Sequence, residues 1–274
     1  MTVTNAVETT MIWGTVSGAS MVGMVISLLL SVVLPIFLGI FIYKKTKAWV
    51  PAFFIGCGIF VGFAMILEQI CHAIVLTVTG SAIRDNIWLY AIYGGLAAAL
   101  FEECGRWIAM TFCLKKHLTR ENALMYGAGH GGIEAFLILG MSSMSNLLTA
   151  AMINGGLMEK TMTALEPAQQ EVTYHQLSVL WTTPAYQFYL APVERISAIA
   201  LQIALSILVY SAVKTGRKLQ LAAAFGLHFA VDFLTVICAS MIPTWALELG
   251  LLVVVAVICA AVYKLVYVHS AEKK

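Results

Sequence analysis

The chain has 274 residues, of which 61% are hydrophobic and only 11% charged, with a net charge of +2 and a mean hydropathy of +0.89. Soluble domains carry about 25% charged residues, so too little polar surface remains here to cover a water-facing body. The small, dispersed charge excludes the basic footprint of a nucleic-acid binder. The six cysteines all lie in apolar segments without a CxxC pair, which makes them buried small hydrophobes rather than a metal or disulfide framework. The N-terminus lacks a basic region and a small-residue cleavage site, so no cleaved signal peptide is expected.

Apolar runs long enough to cross a hydrocarbon core of roughly 30 Å recur along the chain. Seven spans are expected, at about 19–43, 49–79, 87–114, 122–141, 186–213, 219–241 and 245–267. Between them the basic residues alternate sides. Lys44, Lys45 and Lys47 follow span 1, Lys115, Lys116 and Arg120 follow span 3, and Lys214, Arg217 and Lys218 follow span 5. Lys264, Lys273 and Lys274 end the chain, while the opposite side holds only Arg84 and Lys160. The positive-inside rule then places the N-terminus outside and the C-terminus in the cytoplasm. The expected architecture is an all-α polytopic membrane protein, a single transmembrane domain over 1–274. The one sizeable polar stretch, about 142–185, reads as an external loop with a short interfacial helix near Leu147–Met158. Pro184 and Pro192 limit or kink the start of span 5.

Within the spans lie charged groups that the architecture does not require. A charge at the bilayer centre costs about 2.5–3.5 kcal/mol on insertion scales, so each needs a partner or a wet cavity. In FEECGRW of span 3, Arg106 reaches Glu102 or Glu103 on one helix face but cannot neutralise both. The remaining carboxylate is a candidate general base. In GAGHGGIEAF of span 4, His130 and Glu134 share a face among Gly127, Gly129, Gly131 and Gly132, residues that admit close approach of another backbone. In GLHFAVDF of span 6, His228 and Asp232 are again four apart, as are Glu68 and His72 of span 2, which pair with each other. In PVERISAIALQ of span 5, Glu194 and Arg195 are adjacent, so each is expected to pair with another span, and Gln202 lies on the face of Arg195. The depths of Glu102, Glu103, His130 and His228 overlap at 1.5 Å per residue. Spans 3, 4 and 6 therefore converge on one cavity, with site helices over about 87–241.

This inventory suits hydrolysis, with a glutamate activating water and a histidine, alone or with a metal, stabilising an oxyanion. It also suits a proton-coupled transporter. HExxH and GxSxG are both absent.

The EExxR-type segment, the following GxGHGGIEA, the ER before a late span and the terminal HxxxD together resemble the YhfC family within the CAAX-protease and bacteriocin-processing superfamily of intramembrane proteases. That resemblance covers roughly Glu102 to Asp232. It implies that Glu102 activates the attacking water, that Glu103 and Arg106 support it, and that His130 and His228 are the family's histidines, with Asp232 the partner of the second. Glu194 and Arg195 belong to the pattern without an assigned role. Zinc is the implied metal, with Glu102, His130 and His228 as its ligands, and the implied substrate is a membrane-embedded or lipidated peptide. Three departures stand out: Arg106 comes one residue early, Asp232 replaces an asparagine, and Gln202 stands where a histidine is expected. Because the superfamily also resembles the scaffold subunit of gamma-secretase, a non-catalytic membrane-complex subunit is the other reading.

Overall fold

A computed structural model describes residues 11–269; Lys273 and Lys274 lie outside them. Among the described residues the structure is helical throughout, without strands. Seven helices are long and apolar enough to cross a membrane. These are α1 (Gly18–Thr46), α2 (Pro51–Thr79), α3 (Ile87–Cys113), α4 (Arg120–Asn154), α7 (Gln187–Thr215), α8 (Lys218–Ala239) and α9 (Thr244–Tyr267). Two shorter helices, α5 (Leu157–Met162) and α6 (Pro167–Thr182), join α4 to α7.

Local chemistry sets the ends. Ser17 caps α1 by accepting from the Ser20 N–H at 3.0 Å. Asn86 caps α3 through the Trp88 and Leu89 amides, and Thr119 caps α4 through the Asn122 amide. Each side-chain oxygen satisfies an amide that the first helical turn leaves without a partner. Pro51 starts α2, where its missing N–H costs nothing. Gly216, in the left-handed region, ends α7. Four of the spans carry π-helical stretches in their course or at their end, at Val61–Glu68, Ala109–Cys113, Phe136–Gly140 and Tyr263–Tyr267. Two of these lie within a few residues of Glu102, Arg106 or His130 in space or sequence, a setting where π-bulges are frequent.

The expected boundary of the fourth span at 141 is corrected. The helix runs on past the π-helical turn to Asn154. Its polar outer half tolerates this because Ser142 turns its hydroxyl onto the Ile138 carbonyl. Asn154 clamps the backbone of Val16 from both sides, accepting from its N–H at 2.8 Å and donating to its carbonyl at 3.0 Å. The segment expected as a loop is therefore mostly the end of α4 with α5 and α6. Pro192 lies inside α7 rather than bounding it. The cysteines are also corrected: Cys104 and Cys113 are exposed and the other four half-buried, because their helices turn them toward lipid.

The centre of the bundle is α7, whose most apolar window is 72% buried against 11–33% in the other six spans. It packs on α4, α9, α1 and α8. Lipid removes most of the hydrophobic drive for helices to associate, so close fit decides which surfaces meet. The glycines of α4 provide it on three sides. A Cβ on Gly127 or Gly131 would stand 2.7 Å from the Ile203 Cα or 3.0 Å from the Ile199 Cα of α7. One on Gly129 would stand 1.9 Å from the Phe53 carbonyl of α2, and one on Gly132 would stand 2.5 Å from Pro35 of α1. Gly56 of α2 repeats the fit from the other side, 2.2 Å from the Tyr126 carbonyl.

Gly129→Ala is expected to lower the thermal midpoint in detergent, at a cost of about 1–3 kcal/mol or more. Gly226→Ala on α8, where an added Cβ meets nothing within 4 Å, is expected to be neutral or stabilising by up to ~1 kcal/mol. Equal effects of the two would refute close backbone packing as the reason for the α4 glycines.

Candidate functional site

Four helices bring the in-membrane polar groups together. Helix α3 contributes Glu102, Glu103 and Arg106; α4 contributes His130 and Glu134; α7 contributes Glu194, Arg195 and Gln202; α8 contributes His228 and Asp232. The convergence expected for spans 3, 4 and 6 is present, and α7 joins it through Gln202.

Arg106, like His130, has no accessible surface. Its Nη1 donates to Glu103 Oε1 and its Nη2 to Gln202 Oε1, while Glu102 Oε2 stands 3.9 Å from Nη2. The i, i+3 and i, i+4 spacing on α3 thus delivers both glutamates to one guanidinium, and Glu103 makes the direct bond.

Gln202 links the two halves of the site. Its Oε1 is taken by Arg106, so both hydrogens of Nε2 point elsewhere, to Glu102 Oε2 at 2.9 Å and to Glu134 Oε2 at 2.7 Å. The remaining oxygen of Glu134 accepts from Arg195 Nη1 at 3.1 Å. Glu194 also bonds Arg195, which donates to it from Nε at 2.6 Å and again from Nη2. The expectation that these two neighbours pair only with other spans is corrected. Their long side chains bend together off the helix, and Arg195 still reaches α4.

The histidines approach from opposite sides. His130, fully buried, sets Nε2 at 3.0 Å from Glu102 Oε2, with the edge of its ring environment formed by Phe60 at 5.2 Å between centroids. Its Nδ1 faces the Tyr126 hydroxyl at 3.4 Å. His228 sets Nδ1 at 2.8 Å from Glu103 Oε1, and its Nε2 lies 3.9 Å from Glu102 Oε2 and 3.5 Å from Asp232 Oδ2. Five carboxylates (Glu102, Glu103, Glu134, Glu194 and Asp232) thus surround two arginines and two histidines, an acidic excess inside a membrane bundle.

Glu102 is asymmetric. Its Oε2 receives both His130 and Gln202, whereas Oε1 has no hydrogen bond among the described residues and is not sealed from the surface. Beside it Asp232 keeps 35% of its side chain exposed, so the cluster opens on that side. By contrast, both oxygens of Glu134 are occupied.

Glu102, His130 and His228, the expected zinc set, are donors of the right kind. Among the described residues, however, no three His, Cys, Asp or Glu groups are arranged to hold an ion. The Glu102 oxygen that faces the histidines bonds His130 directly, so the set as arranged does not fit a metal. Glu68 and His72 form the expected pair at 3.2 Å, and His72 also meets the Tyr93 hydroxyl at 2.7 Å. Sequence reasoning missed Glu248 of α9. It is 8% exposed, with Oε2 buried and without a hydrogen bond. Its position as the single acid of the last span was the available signal.

Arg106→Met is expected to destabilise the protein by about 3–5 kcal/mol, because it leaves buried carboxylates uncompensated. Adding Glu103→Leu is expected to restore part of that loss. A double-mutant cycle from denaturation midpoints measures the coupling, and simple additivity would show that the two groups do not act as a pair.

Comparisons with known proteins identify the family to which the chain belongs. The family model described as "YhfC intramembrane metalloprotease" matches residues 30–259. The "Uncharacterized membrane protein YhfC" of Bacillus subtilis (strain 168) is 41% identical over 222 residues, covering 78% of this chain and 83% of that protein. No solved structure matches the chain. This integral membrane protein, with seven apolar helices and a bacterial relative, therefore belongs to the YhfC intramembrane metalloprotease family.

Proposed function

We propose that the chain is an intramembrane endopeptidase of the CAAX-protease-like type, which hydrolyses a peptide bond within the bilayer with Glu102 as general base. One observation carries the proposal. Glu102 Oε2 is held by His130 and Gln202 while Oε1 stays reachable, so the carboxylate is fixed in place with one oxygen left for water. A base must reach its proton at hydrogen-bond distance, and among the acids of the cluster this oxygen meets that condition beside the opening at Asp232.

The step follows from the side chains. Glu102 Oε1 takes a proton from water, and the hydroxide oxygen bonds to the scissile carbonyl carbon. The carbonyl oxygen becomes an oxyanion, for which the imidazole of His228, at the open side of the cluster, is the placed donor. Collapse of that intermediate breaks the C–N bond, and the proton held by Glu102 goes to the leaving nitrogen. Arg106 and Glu103 hold the frame: Arg106 keeps Glu102 and Gln202 in register, and Glu103 orients His228 through Nδ1. Glu134 and Arg195 act through Gln202 as positioning residues. The substrate class is a membrane-embedded or lipidated peptide. The family description implies a metal. Zinc with Glu102, His130 and His228 is the corresponding proposal; it requires those side chains to rearrange, and no step above depends on it.

A proton-coupled transporter would use the same residues, and the bonds from Arg195 through Glu134 and Gln202 to Glu102 form a continuous chain. Its middle member is a carboxamide, which holds both hydrogens and does not relay a proton as a carboxylic acid or imidazole does. That counts for the hydrolase.

Membranes from cells producing the wild-type chain are expected to contain new peptide N-termini, in or beside apolar segments, that mass spectrometry does not find with Glu102→Gln. The variant is expected to keep its thermal midpoint within a few degrees, since the amide preserves the shape of the side chain. Undiminished cleavage by folded Glu102→Gln would overturn the assignment of the base.

A further inference from the structure

A second polar constellation lies far from the cluster, at the end of the bundle where lysines and arginines gather. The turn after α1, the start of α4 and the end of α9 line an open cavity of about 540 Å³, a volume within the range of ligand sites. We propose that this cavity binds the phosphate headgroup of an anionic phospholipid.

Charge is the first reason. Lys45, Lys47 and Arg120 line the cavity against a single acid, Glu121. That acid accepts from Arg120 Nε at 2.8 Å, and neither lysine has a carboxylate partner among the described residues. Three cations against one already engaged carboxylate leave a net positive basin. Arg120 is also held in place, its Nη1 donating to the Tyr267 carbonyl at 3.3 Å and its guanidinium lying 4.6 Å from the Tyr267 ring centre. A fixed guanidinium with mobile ammonium groups beside it matches the oxygens of a phosphate.

Backbone conformation is the second reason. Lys47 has φ 57°, the left-handed region, where it closes α1 by donating its N–H to the Tyr43 carbonyl at 2.8 Å. Glycine occupies such a position at lower cost. Lys47 lines the cavity from this position, with its ammonium 5.4 Å from the Tyr43 ring.

Location selects a lipid over a soluble anion. The cavity lies in an aromatic boundary, with Trp49 stacked on His117 at 4.2 Å and Tyr43 and Tyr267 beneath the cations. Tyrosine and tryptophan favour the membrane–water interface. Phe41, Val50 and Phe54 are exposed on the adjoining turns of α1 and α2, a surface for the acyl chains of a lipid whose headgroup sits in the basin. Basic pockets between transmembrane helices at this level take anionic headgroups. The wall is tied to the candidate site: Asn122 accepts from the Trp49 N–H at 2.7 Å and donates to the His117 carbonyl at 2.6 Å, and the same helix carries His130. An occupied basin would brace the α2–α4 contact whether or not the chain is a protease.

The test uses the purified full chain in a neutral detergent. Phosphatidylglycerol, phosphatidylcholine or inorganic phosphate is added, with retention read by native mass spectrometry and stability by the thermal midpoint. Phosphatidylglycerol is expected to bind about tenfold more tightly than phosphatidylcholine and to raise the midpoint. The exposed double variant Lys45→Gln/Lys47→Gln is expected to lose most of that preference. Lys214→Gln/Lys218→Gln, outside the cavity, is expected to keep it. Equal binding of the two lipids, or equal loss in both double variants, would overturn the site. Full displacement of phosphatidylglycerol by millimolar inorganic phosphate would overturn its assignment to a lipid.

Discussion

The buried guanidinium of Arg106 sets the terms for everything around it. It has no accessible surface in a bundle that lipid surrounds, where an unpaired charge costs several kcal/mol. Two of its nitrogens are answered, one by Glu103 on its own helix and one by Gln202 on α7. The first bond follows from helical spacing. The second does not: it requires α3 and α7 to stand in one register. Because Glu102 lies one turn before Arg106, the same register carries it against Gln202 and His130. Sliding α3 along α7 would strand a cation, so the position of the proposed base is secured by a group that does not touch the water it would activate.

Gln202 shows why a neutral residue occupies this junction. The amide accepts from an arginine with its oxygen and gives one hydrogen to each of two carboxylates, so all of its strong bonds are made. Another glutamate here would add a sixth carboxylate to an acidic cluster, and a histidine has no way to accept one bond and donate two. With Oε2 of Glu102 engaged twice, the carboxylate has little freedom to rotate. Fixing a reactive group in advance is the form of catalysis a rigid bundle provides. The glycines of α4 serve the same end, since α2, α7 and α1 approach its backbone without intervening side chains and so fix the helix that carries His130.

Much of this was legible in the sequence, and for definite reasons. Membrane spans follow from length and hydropathy, because the bilayer imposes one thickness on all of them. Charged residues inside spans single themselves out by their cost, and their common depth brought Glu102, His130 and His228 to one level before their contacts were known. What failed depended on side-chain reach or local compensation. Glu194 and Arg195 point to different sectors of a helical wheel, yet their flexible chains meet off the helix. The outer half of α4 is polar enough to read as a loop, but Ser142 bonds its own helix and Asn154 pins Val16. The position of Gln202 on the Arg195 face was visible; that its amide would join Arg106, Glu102 and Glu134 was not, because no sequence spacing relates residue 106 to residue 202. Glu248 was passed over although it meets the same criterion as the others.

The proposed mechanism would also constrain its substrate. A peptide that crosses the bilayer as a helix has each carbonyl already bonded to an N–H four residues on, and an attacking water cannot displace that bond without cost. Unwinding in hydrocarbon exposes backbone groups at several kcal/mol apiece. On the proposed mechanism the cost would fall beside Glu102 Oε1 and the partly exposed Asp232, where imidazole and carboxylate groups would take over the freed bonds. Cleavage on this mechanism therefore selects for segments that unwind readily, where glycine, proline or polar residues already weaken the helix, more than for side chains that fill a pocket. The acidic excess of the site adds a second preference. A free carbonyl is an acceptor and needs the histidine side of the cluster, whereas freed N–H groups are donors and find the carboxylates. A strand laid past Glu102 presents both, so on the proposed mechanism its backbone, rather than its side chains, would be read by the protein.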